Sequence, residues 1–274
     1  MIKNNFEEIS KKALLLHKKM QGKFSVQSKV AVRSAGDLQL VYTPGVGAVS
    51  LFLAKHPKEA RNYTMKRNSV AVVSDGSAVL GLGNIGPEAA LPVMEGKYIL
   101  FKKFADIDAV PIVLATQDAD EIVQTIKIIA PAFGGINLED ISAPRCFKIE
   151  ERLKRELQIP VMHDDQHGTA IIILAGLLNA LKVVGKKLAE VRIVISGAGA
   201  AGTAITKILL KEGARHILVG DSKGILVSSR KNLSLEKREL ANFTNRKKIS
   251  GNLAYAMQGA DVFIGVSGPG IVSE

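Results

Sequence analysis

Strand-like and helix-like segments alternate along most of this chain, and that rhythm predicts an α/β fold built on parallel sheets. Two further observations sharpen the prediction. A Gly-x-Gly-x-x-Gly turn, from Gly197 to Gly202, joins an apolar strand to a helix. The 274 residues, 47% of them hydrophobic, supply enough apolar material for two domains. The expected division is an N-terminal α/β domain over 1–160 and a Rossmann-like domain over 161–274. Only three strands of the last sheet are expected, over 192–196, 216–220 and 261–266, where a complete doubly wound sheet has about six. That second domain therefore reads as incomplete.

The elements follow in order. Asn5 is placed to cap a helix reaching Met20, with Phe6, Ile9, Ala13, Leu16 and Met20 along one stripe. A Pro-Gly loop carrying Tyr42 comes next. Strands over 69–74 and 78–82 flank Asp75-Gly76, a hairpin signal. A helix after Gly86-Pro87 extends to about 104 and contains Lys97. From there strands are expected over 110–115, 135–138 and 161–162, with helices over 118–130, 145–157 and 169–183. The second domain continues with a strand over 192–196, a helix over 200–212 and a strand over 216–220. The polar stretch 222–250 reads as a surface excursion, followed by a short helix over 253–258 and a strand over 261–266.

Composition narrows the function classes. The net charge of +11 raises nucleic-acid binding, but the basic residues are scattered, aromatics are 5% and there is no Trp. The charge is read as surface solvation, with no nucleic-acid partner. The single Cys146 excludes an intramolecular disulfide and suits a reducing cytoplasm, the expected location. It is either a reactive thiol or an ordinary cysteine near a helix. No signal-peptide core precedes residue 20, and the apolar run 170–178 is too short to span a bilayer, so no membrane partner is expected.

Chemistry-bearing residues gather in a few places. Gly197, Ala198, Gly199, Ala200, Ala201 and Gly202 form a turn suited to a pyrophosphate at a helix N-terminus. Asp221, about twenty residues on, stands where an acid receives a ribose hydroxyl. Its charge leans toward NAD, while Ser222 and Lys223 leave NADP open. The similar run Gly81 to Gly86 is followed by Pro87 and by no suitably placed acid, and reads as a loop rather than a second nucleotide site. Paired acids end two apolar runs: Glu139-Asp140 and Asp164-Asp165. Such pairs suggest a divalent ion, Mg²⁺ or Mn²⁺ given oxygen-only ligands. Helix capping is the alternative for the first pair. His163 and His167 offer nitrogen ligands or hydrogen-bonded structure. Lys97 is either a base of lowered pKa or a snorkelling lysine, and Tyr42 a packed turn aromatic.

Taken together, these segments resemble the malic enzyme family. The matching runs are Val41-Tyr42-Thr43-Pro44-Gly45-Val46-Gly47, Asp75-Gly76-Ser77 through Gly86, Leu91-Pro92-Val93-Met94-Glu95-Gly96-Lys97, Asn137-Leu138-Glu139-Asp140-Ile141, Asp164-Asp165-Gln166-His167-Gly168-Thr169-Ala170 and Gly197 to Gly202, in family order. Ser77-Ala78, where larger members carry an arginine, is similar to the short bacterial type. The resemblance implies a malic-type N-terminal domain and oxidative decarboxylation of (S)-malate to pyruvate. It implies Lys97 as base, Asp164 as the acid tuning it, and Tyr42 as the acid that protonates the product carbon. Glu139, Asp140 and Asp165 would be the metal ligands, and a homodimer or higher homo-oligomer is expected. The family continues past residue 274, so the chain is expected to be C-terminally truncated and inactive alone. A metal-independent two-domain dehydrogenase of the shikimate or methylenetetrahydrofolate type, and an inactive dinucleotide-binding fragment, are the alternatives.

Overall fold

Charged and apolar residues recurring at helical spacing make α1, which runs Ile2–Met20. Asn5 lies inside this helix rather than capping it, and Phe6, Ile9, Leu16 and Met20 of the expected stripe are exposed. The computed structural model describes residues 2–79, 81–268 and 270–272. Three short helices follow: α2 (Ala35–Val41), α3 (Gly45–Lys55) and α4 (Ala60–Tyr63). Ser34 and Asp37 form a capping box that starts α2. None of the three contains a buried residue.

β1 (Ser69–Ser74) is buried along almost its whole length, as a strand covered on both faces must be. Pro87 then sits in the first turn of α5 (Pro87–Ala105), where its missing N–H costs nothing. β2 occupies Asp108–Val113, two residues earlier than the sequence pattern suggests. It lies at an edge of its sheet, where Pro111 is tolerated. β1 and β2 are parallel, Ser69 beside Asp108 and Ser74 beside Val113. Val72, Met94 and Ala109 pack together between α5 and these strands. Asp118 caps α6 (Ala119–Ile129) by accepting the amides of Asp120 and Glu121. β3 (Gly135–Leu138), α7 (Arg145–Glu156) and β4 (Val161–His163) complete a sheet of order β2-β1-β3-β4.

The expected hairpin at Asp75-Gly76 does not form. The chain instead makes a tight loop with a single antiparallel bridge between Val79 and Gly83. Gly76 accepts the amides of Ile85 and Gly86, which folds the loop back on itself. Leu80, inside that expected strand, lies outside the described residues.

α8 spans Asp164–Val184 and begins five residues before its expected start. Asp164 and Asp165 are therefore in the first turn of a helix, where the helix dipole favours acids, rather than ahead of it. At twenty-one residues α8 is long and apolar enough to cross a bilayer by length and composition alone, against the sequence reading. Its Ala170, Leu177 and Leu181 join a core cluster with Ile205 and Leu209.

The remaining elements are β5 (Arg192–Ser196), α9 (Ala200–Lys211), β6 (His216–Asp221), β7 (Gly224–Ile225), α10 (Leu235–Thr244), α11 (Leu253–Met257) and β8 (Val262–Gly265). Their sheet has the order β7-β6-β5-β8, three parallel strands plus an unexpected antiparallel edge strand, β7. The stretch 222–250 is more than a surface excursion, since Leu226, Leu240 and Ala241 enter the core. Because β6 and β8 flank β5 on opposite sides, the order reverses at β5. Ligands of such sheets bind beyond the strand ends at that reversal.

Two compact units result. One comprises Met1–Gly76, Ile85–Asn137 and Glu156–Val161, the other Ser77–Asn84, Leu138–Arg155 and Met162–Glu274.

Candidate functional site

Three carboxylates converge in the second unit. Glu139 and Asp140 follow β3 and are 5% and 3% exposed. Asp140 adopts φ +55°, a left-handed conformation that Asp tolerates better than most residues. The bend is pinned locally: Ala78 donates its amide to the Asp140 carbonyl at 2.9 Å, and the Ser142 amide donates to Ser77 Oγ at 2.9 Å. Asp165, in the first turn of α8, accepts the Asp140 amide on Oδ2 at 3.0 Å. One oxygen from each of Glu139, Asp140 and Asp165 lies within 4.8 Å of the other two. A set of hard oxygen donors at this spacing is suited to Mg²⁺ or Mn²⁺.

A buried carboxylate that sequence reasoning missed organises the turn carrying Asp165. Glu150, on α7, is 6% exposed and accepts from four directions. The donors are the His163 amide (3.1 Å), Gln166 Nε2 (3.2 Å), His167 Nε2 (2.8 Å) and Lys154 Nζ (2.8 Å). Burial alone would raise this carboxyl, but the bonds from His167 and Lys154 outweigh it and hold the pKa at about 2. Only the Glu150–Lys154 spacing of four was visible in the sequence, and it signals an ordinary helix pair. His167 is thus hydrogen-bonded structure. His163 differs: its side chain is fully buried and neither ring nitrogen makes a hydrogen bond. Burial lowers its pKa in spite of the nearby carboxylates, so the ring is neutral at neutral pH.

Asp164 opens α8, half-buried, with its carboxylate lying over Gly168. A Cβ there would come within 2.5 Å of Asp164 Oδ1, so the glycine makes room for the acid. In the first unit, Lys97 is half-buried midway along α5, and Tyr42 follows α2 with 66% exposure rather than packing in its turn. Cys146 is buried, which pushes its thiol up to about 12 and leaves it inert.

The glycine turn lies between β5 and α9, at the order reversal of the second sheet. Gly197 has φ +120°, and a Cβ on it would meet the Val266 carbonyl oxygen at 2.7 Å. On Gly202 a Cβ would lie 1.8 Å from the Gly197 carbonyl oxygen, so only glycine lets α9 pack this close to the turn. Around Gly199 nothing lies within 4 Å of a Cβ, and no side chain caps the helix. Ala198, Ala200 and Ala201 complete a first turn whose amides are available to an anion. A cavity of about 620 Å³ opens beside it, lined by Gly197, Gly199, Asp221, Lys223, Arg230 and Lys237 among others.

Asp221 ends β6, and its carboxylate is already engaged. Arg230 Nη2 donates to it at 2.5 Å, Lys237 Nζ at 2.9 Å, and the Lys223 amide at 2.9 Å. Burial raises this carboxyl, the Arg230 and Lys237 bonds lower it further, and the balance is about 2. Part of the positive charge read as surface solvation thus serves this acid.

Comparison with known proteins agrees with both halves. Residues 21–119 and 115–154 match the family model "Malic enzyme, N-terminal domain", and 166–272 match "Malic enzyme, NAD binding domain". The chain is 56% identical to an NAD-dependent malic enzyme of Geobacillus stearothermophilus over 96% of its own length and 55% of the relative's. It is 55% identical to a bifunctional malic/malolactic enzyme of Bacillus subtilis, over 97% of this chain and 65% of that one. The crystal structure of an NAD-dependent malic enzyme from Thermotoga maritima superposes with a TM-score of 0.91 at 50% identity, covering 95% of this chain and 70% of the other. The chain spans 55% and 65% of the length of these two curated relatives.

Proposed function

The chain belongs to the malic enzyme family, and from that premise we propose that its protein oxidatively decarboxylates (S)-malate to pyruvate and CO₂ while reducing NAD or NADP. The observation that carries this reading is the convergence of Glu139, Asp140 and Asp165 in a chain that also carries a dinucleotide turn. These three carboxylates would hold Mg²⁺ or Mn²⁺. A bound divalent ion supplies Lewis acidity at a substrate oxygen and orients the substrate. The amides from Ala198 to Ala201 would receive the pyrophosphate. A nicotinamide cofactor supplies the hydride acceptor.

The chain's own side chains handle protons. Lys97 Nζ takes the proton of the malate 2-hydroxyl, Asp164 tunes that lysine, and Tyr42 Oη protonates the carbon that has lost CO₂. Asp221 favours a ribose hydroxyl over a phosphate, yet Arg230 and Lys237 set positive charge against it and the Lys223 amide donates to it. Both NAD and NADP are therefore compatible with this end of the cavity. We place the division between substrate and dinucleotide domains at 160/161, the assembly as a homodimer or higher homo-oligomer, and the location as cytoplasmic.

The test is malate-dependent NAD(P)H formation in the protein carrying this chain, with Mn²⁺ present. Lys97→Ala should lower kcat by roughly 10²- to 10⁴-fold, and EDTA should abolish turnover. Activity that survives EDTA would fit a metal-independent dehydrogenase instead, and a wild-type rate in Lys97→Ala would remove Lys97 from the mechanism.

A further inference from the structure

Resting on the divalent-metal reading, we propose that His163 is a positioning residue for the metal site: its Nε2–H steadies Asp165 Oδ2 and leaves Oδ1 for the ion. Two independent observations support this. The His163 side chain is 0% exposed and aimed at the carboxylate cluster, with neither ring nitrogen hydrogen-bonded. A buried polar group of this kind calls for a partner. Its Nε2 stands 3.6 Å from Asp165 Oδ2, just outside hydrogen-bonding distance, and that same oxygen accepts the Asp140 amide at 3.0 Å. One oxygen of Asp165 is therefore bracketed by two protein donors. A small rotation of the carboxylate closes the remaining gap.

Direct ligation by His163 fits the geometry less well. A ligating histidine almost always donates its second ring N–H to a fixed acceptor, and His163 Nδ1 has none. The backbone of His163 is in turn held by Glu150, which accepts its amide at 3.1 Å. The main chain that carries the ring is thus fixed by a bond separate from the Asp165 contact.

The experiment is a Mn²⁺ titration of the protein carrying this chain, with free ion followed by electron paramagnetic resonance. It compares the parent with Asp165→Asn, His163→Leu and His163→Gln. Binding by the parent, weakened in Asp165→Asn, establishes the metal site. If the parent takes up no Mn²⁺, or Asp165→Asn binds like the parent, the metal reading fails and this inference with it. Failure confined to the His163 variants leaves that reading standing.

The Leu variant should weaken Mn²⁺ binding about tenfold to a hundredfold, and Gln, which keeps a donor at similar reach, should recover most of the loss. Parent-like affinity in Leu, or equal loss in Leu and Gln, overturns the proposal. A second measurement does not depend on the folding of any variant. In ¹⁵N-histidine-labelled parent with Mg²⁺ added, His163 Nε2 should carry a proton, and an unprotonated, ion-coordinated Nε2 overturns the assignment.

Discussion

The same six-residue pattern occurs twice in this chain and is kept for two different physical reasons. In the loop before α5, Gly81, Gly83 and Gly86 all have positive φ, at +76°, +77° and +81°. A Cβ on any of them would meet nothing within 4 Å. These glycines are required by torsion alone. In the turn before α9 only Gly197 has positive φ, Gly202 is required by a backbone 1.8 Å from its would-be Cβ, and Gly199 by neither. Gly199 instead lines the cavity beside the turn. Pattern matching cannot separate a loop that needs unusual torsions from a turn that needs room for a ligand, whereas the reason for each glycine can.

The largest expected effect is at Gly202. Gly202→Ala drives a methyl into the Gly197 carbonyl, backbone against backbone, where neither partner has room to yield. A loss of roughly 4 kcal/mol is expected, read from urea unfolding, together with loss of nucleotide binding. Parent-like stability would mean that the close packing of α9 is not what retains this glycine. Next comes Gly76, the tight position of the other loop although it lies outside the pattern. At φ +66°, its Cβ would meet the Gly86 carbonyl oxygen at 2.1 Å. Gly76→Ala should cost about 3 kcal/mol from clash and torsion together, without changing NADH affinity in the protein that still folds.

The contrast also shows what a sequence discloses. The Gly197 turn was legible because its signals are local: an apolar strand ends at Ser196, a helix starts at Ala200, and an acid closes the next strand. The neighbourhood of Glu139, Asp140 and Asp165 was legible because paired acids behind apolar runs are costly without a partner. Three features were not. The Asp75-Gly76 hairpin was misread because the fate of that turn depends on Gly76 accepting the Ile85 and Gly86 amides, nine and ten residues away. The start of α8 was placed too late because Asp164 to Gly168 looks like loop. What makes it helical is Glu150, which gathers His163, Gln166 and His167 from another element. Glu150 itself gives no signal, since its partners other than Lys154 lie 13 to 17 residues on.

Third in size is the effect at Gly199, the glycine that lines the cavity. Gly199 has φ −89°, a value open to any residue, and no neighbour within 4 Å of a Cβ. Gly199→Ala should therefore leave the unfolding midpoint unchanged. The added methyl stands where the backbone must approach a pyrophosphate, so NADH affinity should fall about tenfold, or roughly 1.4 kcal/mol. An unfolding midpoint that drops along with affinity would show that Gly199, like Gly202, is retained for packing.

The smallest effect is expected at Gly83, and it tests the other side of the comparison. Gly83 exchanges backbone hydrogen bonds with Val79, at 3.0 Å and 2.9 Å, so its torsion is fixed by the bridge it closes. A methyl group there has space but the wrong φ, a penalty of about 1 kcal/mol for an L-residue in the left-handed region. Gly83→Ala should lower stability by that amount and leave NADH affinity alone, whereas Gly83→Asn should cost less, because Asn tolerates the left-handed region. Equal losses for Ala and Asn would mean that torsion is not the reason for this glycine. A drop in NADH affinity would mean that the loop, like the turn before α9, serves the nucleotide.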